Sequence, residues 1–166
     1  KQLPNIANNL LVIYDRSKKI SKYSFPIYAI EKIMSNNLND ESFLDFSQIF
    51  IDKYISEKKD LQYMSTYVSS LKSKWQLIYV QTLISKNVDI EIFKDLDIFG
   101  HPLIWSGSDV SIYEKMIETI DTFLASTAIT NENLSYILNI KERKNKYIEY
   151  KKKARLRELS DYRFFA

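Results

Sequence analysis

Glycine is nearly absent from this 166-residue chain, which contains only Gly100 and Gly107. Both lie in the segment 99–109, together with the single histidine, His101. Glycine supplies the backbone conformations that tight turns and close approaches to ligands require, and it makes up roughly 7% of an average protein. Because the rest of the chain consists mostly of helix-compatible residues, the sequence predicts an all-α fold.

Apolar residues recur every three or four positions along most of the chain, a pattern typical of amphipathic helices. We predict seven helices, over residues 4–20, 26–36, 39–58, 60–86, 90–99, 108–126 and from 130 onwards. The expected N-caps are Asn39 or Asp40, Asp60, Ser108 or Asp109, and Thr130 or Asn133. With 60–86 as its central helix and no repeat of fixed period, the chain is predicted to form an irregular bundle of six or seven helices, or a short stack of helical hairpins.

The length predicts one helical domain over residues 1–166, large enough to fold without a disulfide or a metal ion. The chain has no cysteine, so it has no disulfide and no thiolate metal site. No stretch contains the 18 or more apolar residues of a membrane-spanning helix, so we expect no integral membrane contact and an intracellular location, cytoplasmic or nuclear. The chain begins with Lys1 rather than methionine. We therefore expect it to be part of a larger protein or a processed chain.

Positive charge is concentrated near the end of the chain. Residues 1–140 have a net charge of −3, whereas residues 141–157 contain nine Lys and Arg against two Glu, a net charge of +7. In a helix, Arg143, Lys144, Lys151 and Arg155 are expected to share one side that follows a phosphate backbone, with Tyr147 and Tyr150 beside it. The residues expected to contact a nucleic acid or an acidic partner are Arg143, Lys144, Lys151, Lys152, Lys153, Arg155 and Arg157.

Other interpretations of the basic segment 141–157 stay open. Basic residues are also ordinary on a solvated helix and near a helix C-terminus. An acidic protein is a further candidate partner, and an anionic membrane surface is the least favoured because the apolar face is thin. Apolar residues are sparse in this segment, so the helix is expected to protrude there, and the apolar tail after it is expected to dock onto the body or onto a partner.

Aromatic residues make up 14% of the chain, with 12 tyrosines among them. A tyrosine buries its ring while its hydroxyl stays in water, so this excess indicates either a half-exposed core or a binding face. Tyr, Trp and Arg are enriched at protein interfaces. The residues expected to bind a partner are Trp105, His101, Tyr147, Tyr150, Tyr162, Phe164 and Phe165.

Residues suited to catalysis are few. His101 is the only histidine, and the serines near it, Ser106 and Ser108, do not form the Gly-x-Ser-x-Gly motif of a nucleophile elbow. Acidic residues around 91–97 and 114–118 lack the Glu-x-x-His pattern of a bundle metal site. Neither glycine has the neighbours of a phosphate-binding loop. We therefore expect that the chain is not an enzyme and binds neither a cofactor nor a metal ion.

These observations favour a non-catalytic helical protein-interaction module, a scaffold or adaptor within a larger protein or complex, whose favoured partner is another protein subunit. A nucleic-acid-binding domain that uses the basic helix is the first alternative, and a helical-bundle enzyme is the second.

Overall fold

A computed structural model of the chain describes residues 6–20, 39–68, 73–96, 99 and 109–165. Within these residues the chain forms seven helices and no strand, which confirms the all-α prediction. The helices are α1 (Ile6–Ile20), α2 (Asp40–Tyr54), α3 (Lys58–Val68), α4 (Ser73–Ser85), α5 (Ile90–Leu96), α6 (Val110–Ser126) and α7 (Leu134–Phe165). The helix expected over 26–36 lies outside the described residues.

The chain divides into two compact units, Lys1–Val88 and Asp89–Ala166. That residues 1–166 form one domain stays a prediction. The first unit contains α1 to α4 and the second contains α5 to α7. None of the helices in the described part of the chain is long and apolar enough to cross a membrane.

Helix α2 is the centre of the first unit, where it packs against α1, α3 and α4. Its aromatic residues Phe43, Phe46, Phe50 and Tyr54 recur at steps of three and four and are all buried. Ile51 widens this apolar face, so α2 can contact three neighbours at once. The expectation that 60–86 forms the central helix is therefore wrong.

Residues 60–86 do not form one continuous helix. The Ser65 hydroxyl of α3 donates to the Tyr79 hydroxyl of α4 at 3.3 Å, whereas fourteen residues of a continuous helix rise by about 21 Å. Both halves have the same apolar period, so the pattern did not reveal the break. The sequence between them is rich in serine, a residue whose side chain competes with helical backbone hydrogen bonds.

Several helix ends follow local sequence signals. The Asn39 side chain accepts a hydrogen bond from the Ser42 amide at 2.8 Å, which confirms it as the N-cap of α2. At the end of α4, Asn87 has a φ of 52°, and the Val88 amide donates to the Leu83 carbonyl oxygen. This is a Schellman motif, which asparagine tolerates well. Asp60 lies inside the first turn of α3 and is not its cap.

The second unit is built on a hairpin of α6 and α7, which pack against each other. Asp109 caps α6 by accepting from the Ile112 amide at 2.9 Å, and Thr130 and Asn133 exchange hydrogen bonds before α7, as predicted for both ends. Phe93, Phe99 and Phe123 form an aromatic cluster with ring centroids 4.8 to 5.9 Å apart. This cluster gives the second unit a core of its own.

Candidate functional site

The pairing of α6 with α7 decides which part of the basic helix is covered. Lys151 forms an ion pair with Glu114 at 3.0 Å, and Lys144 forms one with Asp121. Seven residues separate the two partners on each helix, so the helices run antiparallel in a fixed register. By this register Val110, the first residue of α6, lies opposite Arg155. The last ten residues of α7, about 15 Å of helix, therefore have no α6 residue opposite them.

The part of α7 that lies against α6 contributes to the core. Ile140 and Tyr147 are fully buried and Ala154 is 4% exposed. The Tyr147 hydroxyl donates to the Phe99 carbonyl oxygen at 2.6 Å. This corrects the expectation that Tyr147 presents its ring to a partner. It also moves the start of the protruding part of the helix from 141 to the residues after Ala154.

Two residues on the side of α7 that was expected to follow a phosphate backbone form ion pairs within the protein. Lys144 and Lys151, on that side, are half-buried and bind carboxylates of α6. Partly exposed pairs of this kind contribute at most about 1 kcal/mol each to stability, but they neutralise both cations. Of the four residues predicted on this side, Arg143 and Arg155 stay outside these two pairs.

The other predicted basic residues are exposed. Lys152 binds Glu149 within one turn of α7, and this hydrogen bond holds the pKa of Glu149 below its usual value. The Lys153 ammonium lies 5.9 Å from the centre of the Tyr150 ring. Arg155 and Arg157 form no ion pair with the described part of the chain. Lys152, Lys153, Arg155 and Arg157 are therefore all accessible to solvent.

Tyr150 is half-buried, and its ring stacks against the Tyr113 ring of α6 with centroids 6.1 Å apart. Since Lys153 lies over the same ring, Tyr150 is held among residues of the protein. Its ring is therefore less accessible to a partner than the sequence suggests.

We call residues 155–163 of α7 the arm. Every side chain of the arm is exposed, including the large apolar residues Leu156 at 66%, Leu159 at 55% and Tyr162 at 78%. The exposure of Tyr162 is compatible with the partner-binding role predicted for it. Leu156 was not among the predicted partner-binding residues. Only the register of α6 and α7 shows that no helix of the hairpin covers it.

Four of the predicted partner-binding residues have no described side chain. His101 and Trp105 lie outside the described residues. Phe164 and Phe165 continue the backbone of α7, but their side chains also lie outside the described part. Their roles stay predictions.

A cluster of polar side chains in the first unit joins α1 to α2 and α3. The Tyr14 hydroxyl donates to the buried Asp60 carboxylate at 2.6 Å. Asp15 accepts from the Tyr54 hydroxyl and from the Lys53 ammonium. Burial raises the pKa of Tyr14 and of Tyr54, and the hydrogen bond of each to its carboxylate raises it further. Both tyrosines therefore stay protonated at neutral pH and act as fixed donors that tie the helices together.

Comparison of the chain with models of known protein families, with curated proteins and with solved structures finds no match. Within the described ranges, no three His, Asp or Glu side chains are placed together to hold a metal ion. The candidate site consists of the arm and the exposed cations of α7.

Proposed function

We propose that this chain is a non-catalytic helical interaction module and that its arm binds a protein partner. The observation that carries the proposal is the exposure of Leu156, Leu159 and Tyr162, which follow one another at steps of three residues within two turns of α7. Single exposed leucines are ordinary on protein surfaces, but large apolar side chains grouped on one element mark interaction sites. Burying such a side chain contributes roughly 1.5 to 3 kcal/mol.

The arm is suited to binding as a helix in a groove. Leu156 and Leu159 are three residues apart, so they lie on neighbouring parts of the helix surface and enter one apolar groove together. Tyr162 and the arginines of the arm supply the residue types that dominate binding energy at interfaces. With Arg155, Arg157 and Arg163 against Glu158 and Asp161, the arm favours a groove with a mildly acidic rim.

The non-catalytic part of the proposal is supported by the residue types of the chain. The sequence offers one histidine and no cysteine, and the buried tyrosines of the first unit are held in their protonated state. General acid–base catalysis favours groups whose pKa lies near the working pH.

Site-specific photo-crosslinking in cells tests the proposal. A benzophenone side chain is placed at Leu156 or Tyr162, and controls carry it at Ile129 or Ile55, which are 60% and 40% exposed and lie outside α7. We expect one discrete protein adduct from the arm positions and none from the controls. Equal adducts from both sets, or none from the arm, would contradict the proposal.

A further inference from the structure

A second face of α7 carries a row of cations. Arg143, Lys146, Tyr150, Lys153 and Arg157 follow one another at steps of three, four, three and four residues. This spacing keeps all five on one face of a helix. Arg157 lies fourteen residues after Arg143, a rise of about 21 Å along the helix. We call these five residues the basic row.

The basic row lies on a different side of α7 from the cations that α6 neutralises. Lys144 and Lys151 pair with Asp121 and Glu114, and neither belongs to the row. Lys146, Lys153 and Arg157 are exposed and Arg143 is half-buried. Lys146 forms an exposed ion pair with Glu142 of the same helix, at 3.3 Å. Such a pair contributes little and is readily exchanged for another anion.

The charge of this region stays strongly positive after the pairs with α6 are taken into account. Residues 141–157 contain nine cations, and the carboxylates of α6 neutralise two of them. Seven cations then remain against Glu142 and Glu149, an excess of five positive charges. The segment is seventeen residues long, about 25 Å of helix. Such a density attracts a polyanion over a long range at low salt.

The regular spacing of the cations favours a polymer with regularly spaced charges. Each strand of duplex DNA carries a phosphate for about every 3.4 Å of rise along the axis, so a duplex offers regularly spaced negative charges over the length of the row. The Tyr150 ring is occupied by Tyr113 and Lys153, and base stacking on aromatic rings is what a single-strand surface needs. The row also lacks the large apolar residues with which an interfacial helix enters a membrane.

We propose that the basic row binds the phosphate backbone of a nucleic-acid duplex without reading its sequence. This function is separate from the arm's apolar contacts with a protein. The cations of the row contact successive phosphates, and Tyr150 supports Lys153 from the helix surface.

Fluorescence anisotropy with a labelled DNA duplex of mixed sequence, about two helical turns long, tests this proposal, with the full chain titrated between about 50 and 200 mM salt. The row variant carries Lys146→Gln, Lys153→Gln and Arg157→Gln. The matched control carries Lys141→Gln, Lys152→Gln and Arg155→Gln, which removes the same charge from exposed positions of the same helix outside the row. Circular dichroism melts verify that both variants fold.

The slope of log affinity against log salt falls by about 0.9 for each phosphate that the protein no longer neutralises, so the row variant is expected to lose about 2 to 3 units of slope. The control is expected to lose less than about one unit. Equal losses in the two variants would show that net charge alone matters and would overturn the proposal, as would absence of duplex binding at about 50 mM salt.

Three further probes distinguish the class of partner. A single strand of the same length is expected to bind more weakly than the duplex. The row variant and the control are expected to have similar affinity for polyglutamate, and similar affinity for vesicles of phosphatidylserine with phosphatidylcholine. Tighter binding of the single strand than of the duplex would overturn the assignment to a duplex. So would a loss of affinity for polyglutamate or for the vesicles, in the row variant, as large as the loss of affinity for the duplex. Arg157 belongs to both the arm and the row, so adducts from Leu156 and Tyr162 are compared in a variant that carries only Lys146→Gln and Lys153→Gln. These adducts are expected to persist in that variant, so the two proposals fail separately.

Discussion

Helix α7 contains two charged stretches that differ in burial: the first has buried apolar residues and the second has none. In residues 134–154, Ile137, Ile140 and Tyr147 are buried. In the arm, Leu156 and Leu159 are of comparable size and are more than half exposed. Both stretches are rich in charge. The difference is that α6 begins at Val110 and therefore covers only the first stretch. Leu138 of the first stretch is 55% exposed, so apolar content alone does not decide burial in α7, but only the stretch beside α6 has buried apolar side chains.

The cations differ in the same way. Lys144 and Lys151 of the first stretch meet carboxylates on α6, whereas Arg155 and Arg157 of the arm form no ion pair with the described residues. A basic segment that looks uniform in sequence is therefore divided into a structural part and a part available to partners. Four predictions test this division, in order of decreasing effect.

Truncation of the two tyrosines is expected to give the largest difference. Tyr147→Ala removes a fully buried ring and is expected to lower the free energy of unfolding by about 3 to 5 kcal/mol. Tyr162→Ala removes a ring that is 78% exposed, and an effect within about 0.5 kcal/mol is expected. Urea denaturation followed by circular dichroism measures both. Similar losses at the two sites would remove the distinction between the stretches.

Removal of the Tyr147 hydroxyl alone is expected to have a smaller effect. Tyr147→Phe keeps the buried ring but leaves the Phe99 carbonyl oxygen without this donor. Loss of a buried hydrogen-bond partner costs about 1 to 3 kcal/mol. The same urea experiment measures the change, and Tyr162→Phe in the arm is the matched control with no expected effect. A Tyr147→Phe variant as stable as the original chain would show that this hydrogen bond does not hold α7 in place.

The N-cap of α6 fixes the residue at which that helix begins. It therefore also fixes the last residue of α7 that has α6 opposite it. Asp109→Ala is expected to destabilise the chain by about 1 kcal/mol at neutral pH. The hydrogen bond from the Ser111 hydroxyl, followed by that from the Ile112 amide, lowers the pKa of Asp109 in the folded protein. The contribution of the Asp109 carboxylate to the free energy of unfolding is therefore complete above the pKa of about 3.9 that it has in the unfolded chain. This contribution is lost as the pH falls through the lower pKa of the folded protein.

Urea denaturation of the Asp109→Ala variant and the original chain between about pH 7 and pH 2.5 measures this dependence. The difference in stability between the two proteins is expected to be constant above about pH 5 and to shrink below about pH 4. Glu132→Ala is the control, since Glu132 is exposed in the loop between α6 and α7. A difference that stays constant over the whole range would contradict the capping role of the charged carboxylate.

The ion pairs between α6 and α7 are expected to contribute least. Lys151→Gln removes the partner of Glu114 and is expected to cost about 0.2 to 1 kcal/mol in low salt. The cost is expected to decrease in about 1 M NaCl because salt screens the pair. Arg157→Gln, which removes the same charge from the arm, is the control with no expected loss. Equal effects of the two substitutions in low salt would show that the α6 contact of Lys151 is not stabilising.

Much of the fold could be predicted from local signals in the sequence. Apolar periodicity and capping residues such as Asn39 and Asp109 locate helix ends, because both act over three or four residues. The break between α3 and α4 was missed, since the apolar period is similar on both sides of it. The central position of α2 was also missed, because it depends on contacts with three other helices.

For the candidate binding surfaces, too, the sequence predicted local features but not contacts between helices. The sequence identified α7 as the charged element, and charge density is visible without a structure. It could not separate Lys151, which is paired with α6, from Arg157, which is not, because that distinction requires the register of two helices far apart in sequence. It placed Tyr147 on a binding face for the same reason. The spacing of the basic row is visible in the sequence, but its availability is evident only once the covered side of α7 is known.

Hydrogen–deuterium exchange of the purified chain, measured by mass spectrometry with peptides that separate residues 138–154 from 156–163, tests the division of α7 most directly. Packed helices open with free energies that approach the stability of their unit, whereas unsupported ends open at almost no cost. We predict strong protection up to Ala154 and near-complete exchange within seconds after it. Equal protection of the two stretches would show that the arm is packed in the free protein and would contradict its assignment as the partner-binding element.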